Sequence, residues 1–279
     1  MHTRSGSATG GKGSFSARQG AVLRFLANCR QDELVSFLHL EVATLREYLE
    51  EDISAMVEKI QATLDLAKVV PIRRLHGTLG TVENVLRHLG ALSPGLLPTL
   101  LKLTVAVTTY ASAILGHKEK VVRPLVAATR ALRAQGVKML TQFFEKFDTY
   151  EFTPAEIDAV FESAVWPLLP IVEELGGRQL PTPLLKFFLA LSRNPRYFVL
   201  FSKFNKDDPS TSALPLIVAL LGNSKVSPAI VKTLLTIVDN LLTSTAEEEE
   251  ADSTEEGAKP VKALTVNCCF DILARHSTA

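Results

Sequence analysis

Cysteine is scarce in this sequence, and neither sign of charge is in surplus. Three cysteines, Cys29 and the adjacent pair Cys268 and Cys269, are spread over 279 residues. The odd number and wide spacing exclude a disulfide framework and fit a reducing compartment. Two neighbouring cysteines do not make the CxxC half-site of a zinc centre, so all three read as buried or idle thiols. Thirty basic and thirty acidic side chains cancel, so net charge designates neither a nucleic acid nor a membrane as partner. Aromatic residues make up only 7%, with a single tryptophan, Trp166. Leucine, alanine and valine dominate instead, a composition for helix packed on helix.

Regular alternation of apolar and polar residues between hairpin turns is also missing, which excludes a β or α/β architecture. The first twenty residues are small and polar, with no apolar segment of a secretory leader. One long apolar stretch exists, Leu96 to Leu115, but it carries Lys102, four threonines and Tyr110. It reads as a buried helix rather than a membrane span, and no membrane partner is expected.

Motifs of chemistry are equally thin. Gly6 to Lys12 (GSATGGK) approaches a phosphate-binding loop. Gly13 stands where the magnesium-binding Ser or Thr belongs, and no buried strand precedes the loop to aim it. The six histidines, His2, His39, His76, His88, His117 and His276, form no i, i+4 pair and adjoin no cysteine. No GxSxG elbow occurs. Carboxylates such as Glu50-Glu51-Asp52 and Glu173-Glu174 sit at predicted helix ends or faces, where solvation accounts for them. The expectation is a protein that is not an enzyme, with no catalytic residues, metal, cofactor or small-molecule substrate.

What is present is helical periodicity almost from end to end. It predicts helices over about 19–28, 32–49, 53–66, 75–89, 93–115 (with a break at Pro98) and 121–147. Three further helices open on a hydroxyl residue followed by proline: Thr153-Pro154, Thr182-Pro183 and Ser227-Pro228. In each, the hydroxyl is set to cap and the proline to occupy the first helical position. Thr153 with Glu156 adds a capping box. The last of these helices has a wide apolar stripe, Ile230, Val231, Leu234, Leu235, Ile237, Val238, Leu241 and Leu242, which must pack on neighbours. Trp166 is expected to be buried between adjacent helices. About ten helices with short turns, in pairs of about forty residues, match a HEAT-like or armadillo-like helical-repeat solenoid.

The organisation read from this pattern is a disordered tail over 1–18 and a solenoid segment over 19–245. An acidic disordered loop follows over 246–260, and a terminal helix of the array over 261–276. Two clusters of positive charge stand out. Lys118, Lys120, Arg123, Arg130, Arg133 and Lys138 are relieved only by Glu119. Arg123, Arg130 and Arg133 fall near one helical face, since seven residues are about two turns. This is the candidate RNA-facing or partner-facing ridge, weighed against an ordinary solvated helix face. The second cluster, Arg193, Arg196, Lys203 and Lys206, is interleaved with Tyr197, Phe198, Phe201 and Phe204. Base stacking is one reading of those rings, but their helical spacing favours a buried face.

Three stretches are more specific than generic helix: Val69 to Leu86, Gly136 to Leu169 (containing FTPAEIDAVFESAVWP) and Pro181 to Phe201 (PTPLLK followed by LSRNPRYF). In order and content they resemble successive parts of the down-regulated-in-metastasis family, the very long HEAT-repeat component of the small-subunit processome. The resemblance runs over roughly 20–245 and leaves the N-terminal tail and the acidic run without a counterpart. It implies an internal segment of a larger nucleolar protein that joins the particle assembled on pre-ribosomal RNA with its small nucleolar RNA. The implied partners are processome proteins and that RNA particle, in 18S rRNA maturation. The family is a scaffold, so no catalytic residue is carried over. The alternative reading of the same architecture is an importin-like transport or adaptor solenoid that binds protein cargo.

Overall fold

The computed structural model of this chain describes residues 71–88, 96–147, 149–174, 181–206, 212–221, 223 and 225–243, with isolated positions among the first sixty. The named elements among the described residues are all helices or helical turns, with no strand; an isolated antiparallel bridge joins Phe204 and Ser212. The all-α class is therefore the one the periodicity predicts. The tail, the acidic run over 246–260 and the expected terminal helix over 261–276 lie outside the described residues, as do most of the first three predicted helices. The chain forms two compact units, Met1–Thr104 and Val105–Ala279.

In the first unit, helix α1 (Ile72–His88) starts directly after Pro71, three residues earlier than the apolar pattern suggests. Proline is a natural boundary there, and its carbonyl accepts from the Arg74 and Leu75 amides at 2.9 and 3.0 Å. Leu75, Leu79, Val82 and Leu86 form its buried stripe, spaced four, three and four residues apart. Helix α2 (Leu96–Gly116) begins in this unit and runs unbroken through Pro98. Pro98 is its third residue, where the missing N–H would have had no helical partner. By length and composition α2 could cross a membrane, yet 56% of its apolar stretch is buried inside the fold.

The second unit holds the rest of α2, a 3-10 turn at Lys118–Lys120, and helices α3 (Arg123–Lys146) and α4 (Pro154–Val160). The α4 path continues as a π-helical turn, Phe161–Val165, and then α5 (Leu169–Glu174). Helix α6 (Thr182–Leu191), a 3-10 segment at Pro195–Ser202, α7 (Ala213–Leu221) and α8 (Pro228–Thr243) complete it. Helix α3 packs on α6 and on the π turn, while α8 packs on α6 and α7.

An aromatic core holds these elements together. The Phe144 ring of α3 stacks on Phe152 at 4.5 Å and meets Phe187 and Tyr197 edge-on at 5.5 and 5.1 Å. Such pairs add about 0.5–1.5 kcal/mol each beyond the area they bury. Where α3 meets α2, Gly136 lies against the Thr108 side chain. A Cβ on Gly136 would lie 2.1 Å from Thr108 Oγ1.

The predicted caps fare differently. At Thr153 the capping box forms: the Glu156 amide donates to Thr153 Oγ1 at 3.3 Å, and the Thr153 amide donates to Glu156 Oε2 at 2.9 Å. At Thr182 the expectation fails, because α6 begins one residue earlier with Pro181 in the cap position and no side-chain cap. Pro181 is already extended, and Pro183 at the second helical position has no N–H for a Thr182 hydroxyl to satisfy. The α8 stripe is narrower than predicted. Leu234, Ile237, Val238 and Leu241 are buried, but Leu235 is exposed, rotated about 100° from Leu234 and off the arc facing α6 and α7.

Candidate functional site

The π turn shows how local sequence shapes the surface beside the basic cluster. In an α-helix the amide of residue 167 would donate to the carbonyl of Ser163, but residue 167 is proline. The turn widens, and the Trp166 amide reaches back to the Phe161 carbonyl at 3.0 Å. The orphaned Ser163 carbonyl accepts instead from the Ser112 hydroxyl of α2 at 3.2 Å. This cross-link fixes the 167–171 stretch against the end of α2.

Between these elements and α3 lies a groove of about 810 Å³. Three of the six ridge residues line it: Lys118 from the 3-10 turn, and Arg130 and Arg133 from α3. Leu115, Val137 and Leu168 also line it but are buried, whereas Ile171, Pro167, Pro181 and Pro183 are half-buried and give it accessible apolar surface. Among the described residues, no carboxylate lines the groove. Arg130 is exposed, whereas Arg133 is only partly so. Burial, aided by the nearby charge of Arg130, pushes the Arg133 guanidinium down to about 10, which leaves it cationic at neutral pH.

The other three ridge residues stay outside the groove. Lys120, Arg123 and Lys138 are all exposed. Arg123 and Arg130 do share a face, as two helical turns require, but Arg133 is rotated about 60° from Arg130 towards the interior. The ridge is thus a surface track with one inward branch, and that branch ends in an apolar groove.

The second cluster is built mainly for cohesion. Tyr197, Phe198 and Phe201 are buried in the core, while Phe204 is 56% exposed. Lys203 and Lys206 contact opposite oxygens of Asp158 at 2.5 and 2.8 Å, and Arg193 approaches Glu145 at 3.4 Å. The two ammonium groups hold the Asp158 carboxyl below its ordinary range, Lys203 contributing more. Trp166, buried as expected, packs against Phe161 at 5.3 Å between ring centres. Its remaining edge borders a shallow hollow of about 440 Å³ shared with Phe204 and this ion-pair group.

No group of three His, Cys, Asp or Glu side chains that could hold a metal ion occurs among the described residues. Sequence reasoning found the cations of the groove but missed its walls. Leu115 comes from α2, far in sequence from Leu168 and Ile171, so no local spacing joins the two sides. The visible signal was the density of prolines at 167, 181 and 183, which mark where chain segments bend around the groove. A family model described as U3 small nucleolar RNA-associated protein 20, N-terminal, matches residues 1–276. The match includes the tail and the acidic run, which the resemblance read from individual motifs left out.

Proposed function

This chain belongs to the U3 small nucleolar RNA-associated protein 20 family, and from that premise we propose that it is a non-catalytic scaffold of small-subunit ribosome biogenesis. The single observation that carries the proposal is the family match over nearly the whole chain. The family is named for the U3 small nucleolar RNA, which supports this reading. On this reading the chain works in the nucleolus, within the processome particle that matures 18S rRNA.

The physical features on the page suit that role. An all-α array offers helix faces over a long surface, and helical-repeat proteins use such surfaces to hold partners. The exposed cations Lys120, Arg123 and Arg130 supply a track for phosphates or acidic protein surfaces, whose binding weakens as salt rises.

The test is sedimentation of the full-length protein through a density gradient of cell extract. The scaffold reading expects it in fractions of large pre-ribosomal particles, released by ribonuclease. Recovery in light fractions together with a small GTPase would favour an importin-like transport role instead.

A further inference from the structure

We propose that the groove lined by Lys118, Arg130 and Arg133 is a docking site for an acidic segment of a partner protein that carries aliphatic or aromatic anchor residues. The inference deepens the scaffold reading by naming a class of partner for this surface.

The occupant follows from the chemistry of the walls. Three cations converge on a hollow that, among the described residues, contains no carboxylate. A ligand that brings negative charge suits these cations. Yet the accessible apolar surface opposite the cations is formed by Ile171 with Pro167, Pro181 and Pro183, while Leu115, Val137 and Leu168 are buried. Covering it with a sugar-phosphate chain would strip water from polar groups without pairing them. Covering it with leucine, isoleucine or phenylalanine side chains would remove apolar surface from both partners.

Nucleic acid fits less well for a second reason. Single-stranded RNA is gripped by aromatic rings on which bases stack, and none lines this groove among the described residues. A cation presented to phosphates is usually free in solvent, whereas Arg133 is drawn partly into the fold beside aliphatic side chains. A guanidinium in that setting suits a carboxylate, which it can meet with two parallel hydrogen bonds.

The remaining wall excludes one mode of protein recognition. Pro167, Pro181 and Pro183 border the groove and offer no backbone N–H. A partner cannot add itself as a strand here, so recognition rests on side chains entering the hollow. At about 810 Å³ it accepts a few anchor side chains rather than a whole domain. Ser112, whose hydroxyl holds the Ser163 carbonyl at 3.2 Å, keeps the two walls at a fixed distance.

The experiment is a random-peptide display selection on the purified full chain, followed by affinity measurement with the enriched peptides. Enriched sequences should combine Asp or Glu with Leu, Ile or Phe. Lys118→Glu with Arg130→Glu, both exposed positions, should weaken binding about tenfold or more. Ile171→Thr should weaken it separately, with the thermal melt of both variants unchanged. Peptides without acidic bias, or equal affinity for wild type and the charge-reversal variant, would overturn the proposal. So would displacement of the peptides by a single-stranded oligouridylate whose own binding both variants lose, since that marks an RNA groove. If peptide selection fails while the protein still sediments with pre-ribosomal particles, only the groove assignment falls.

Discussion

At the scale of single residues, Gly136 is the position where substitution should tell most. Alanine is the better helix former by about 1 kcal/mol. Here its methyl group would collide with Thr108 Oγ1, which lies 2.1 Å from the ideal Cβ position. Gly136→Ala should therefore destabilise the second unit by about 1–3 kcal/mol, the range for overpacking a close contact. Thr108→Ala removes the offending hydroxyl, so the double variant should recover stability relative to Gly136→Ala alone. Urea denaturation of the four proteins in the cycle checks this, and additive losses would mean the two helices do not touch there.

Arg133 makes a second residue-scale case. Its charge sits partly desolvated, and removing such a charge commonly stabilises a fold. Arg133→Met should raise unfolding free energy by about 1 kcal/mol while lowering affinity for acidic peptides. A loss of stability in the same denaturation experiment would show that the guanidinium is compensated in the folded chain.

Asp158 carries the acid-side prediction. Lys203 and Lys206 hold its folded-state value below that of an unfolded carboxyl, about 3.9. The stabilisation is present above that unfolded value and is lost as pH falls through the lower folded value. Asp158→Asn should thus cost less than about 1 kcal/mol at neutral pH, because the group is partly exposed and screened. It should also flatten the fall in stability below about pH 4, read from melts across an acid series.

At the scale of elements, legibility depended on whether the partners of a feature were near in sequence. The α4 cap was readable because Thr153 and Glu156 are three residues apart and satisfy each other. The α6 start was misread by one position because two prolines flank Thr182, and only the backbone decides which one sits outside the helix. The π turn was not readable at all. Pro167 was visible, but the donor that satisfies the freed Ser163 carbonyl, Ser112, arrives from a different helix. Ser112→Ala should leave the Ser163 carbonyl without its donor and cost about 1–2 kcal/mol. Loss of amide protection at Trp166 in hydrogen exchange would localise the effect to the π turn rather than to α2. The α8 stripe taught a related lesson: eight apolar residues fit a packed face, but two helix neighbours cover only about half a turn of it.

At the scale of the whole molecule, composition and periodicity specified the class because helix signals recur locally, every three or four residues. The candidate surface was legible only in part. Six cations were found by their density along one stretch, but the groove that gathers Lys118, Arg130 and Arg133 is made by residues from 112 to 183. No spacing rule links those positions; only the fold does. Function entered by another route, through the motifs whose family match spans residues 1–276.

Under the proposed function the chain serves small-subunit ribosome assembly by binding rather than by catalysis. The most direct measurement is pulse-labelling of ribosomal RNA in cells depleted of the protein, then re-supplied with it. Depletion should cut newly made 18S rRNA severalfold while large-subunit rRNA continues, and re-supply should restore it, with the Lys118→Glu, Arg130→Glu variant restoring less. Normal 18S production after depletion, or equal loss of both subunits' rRNA, would contradict the account.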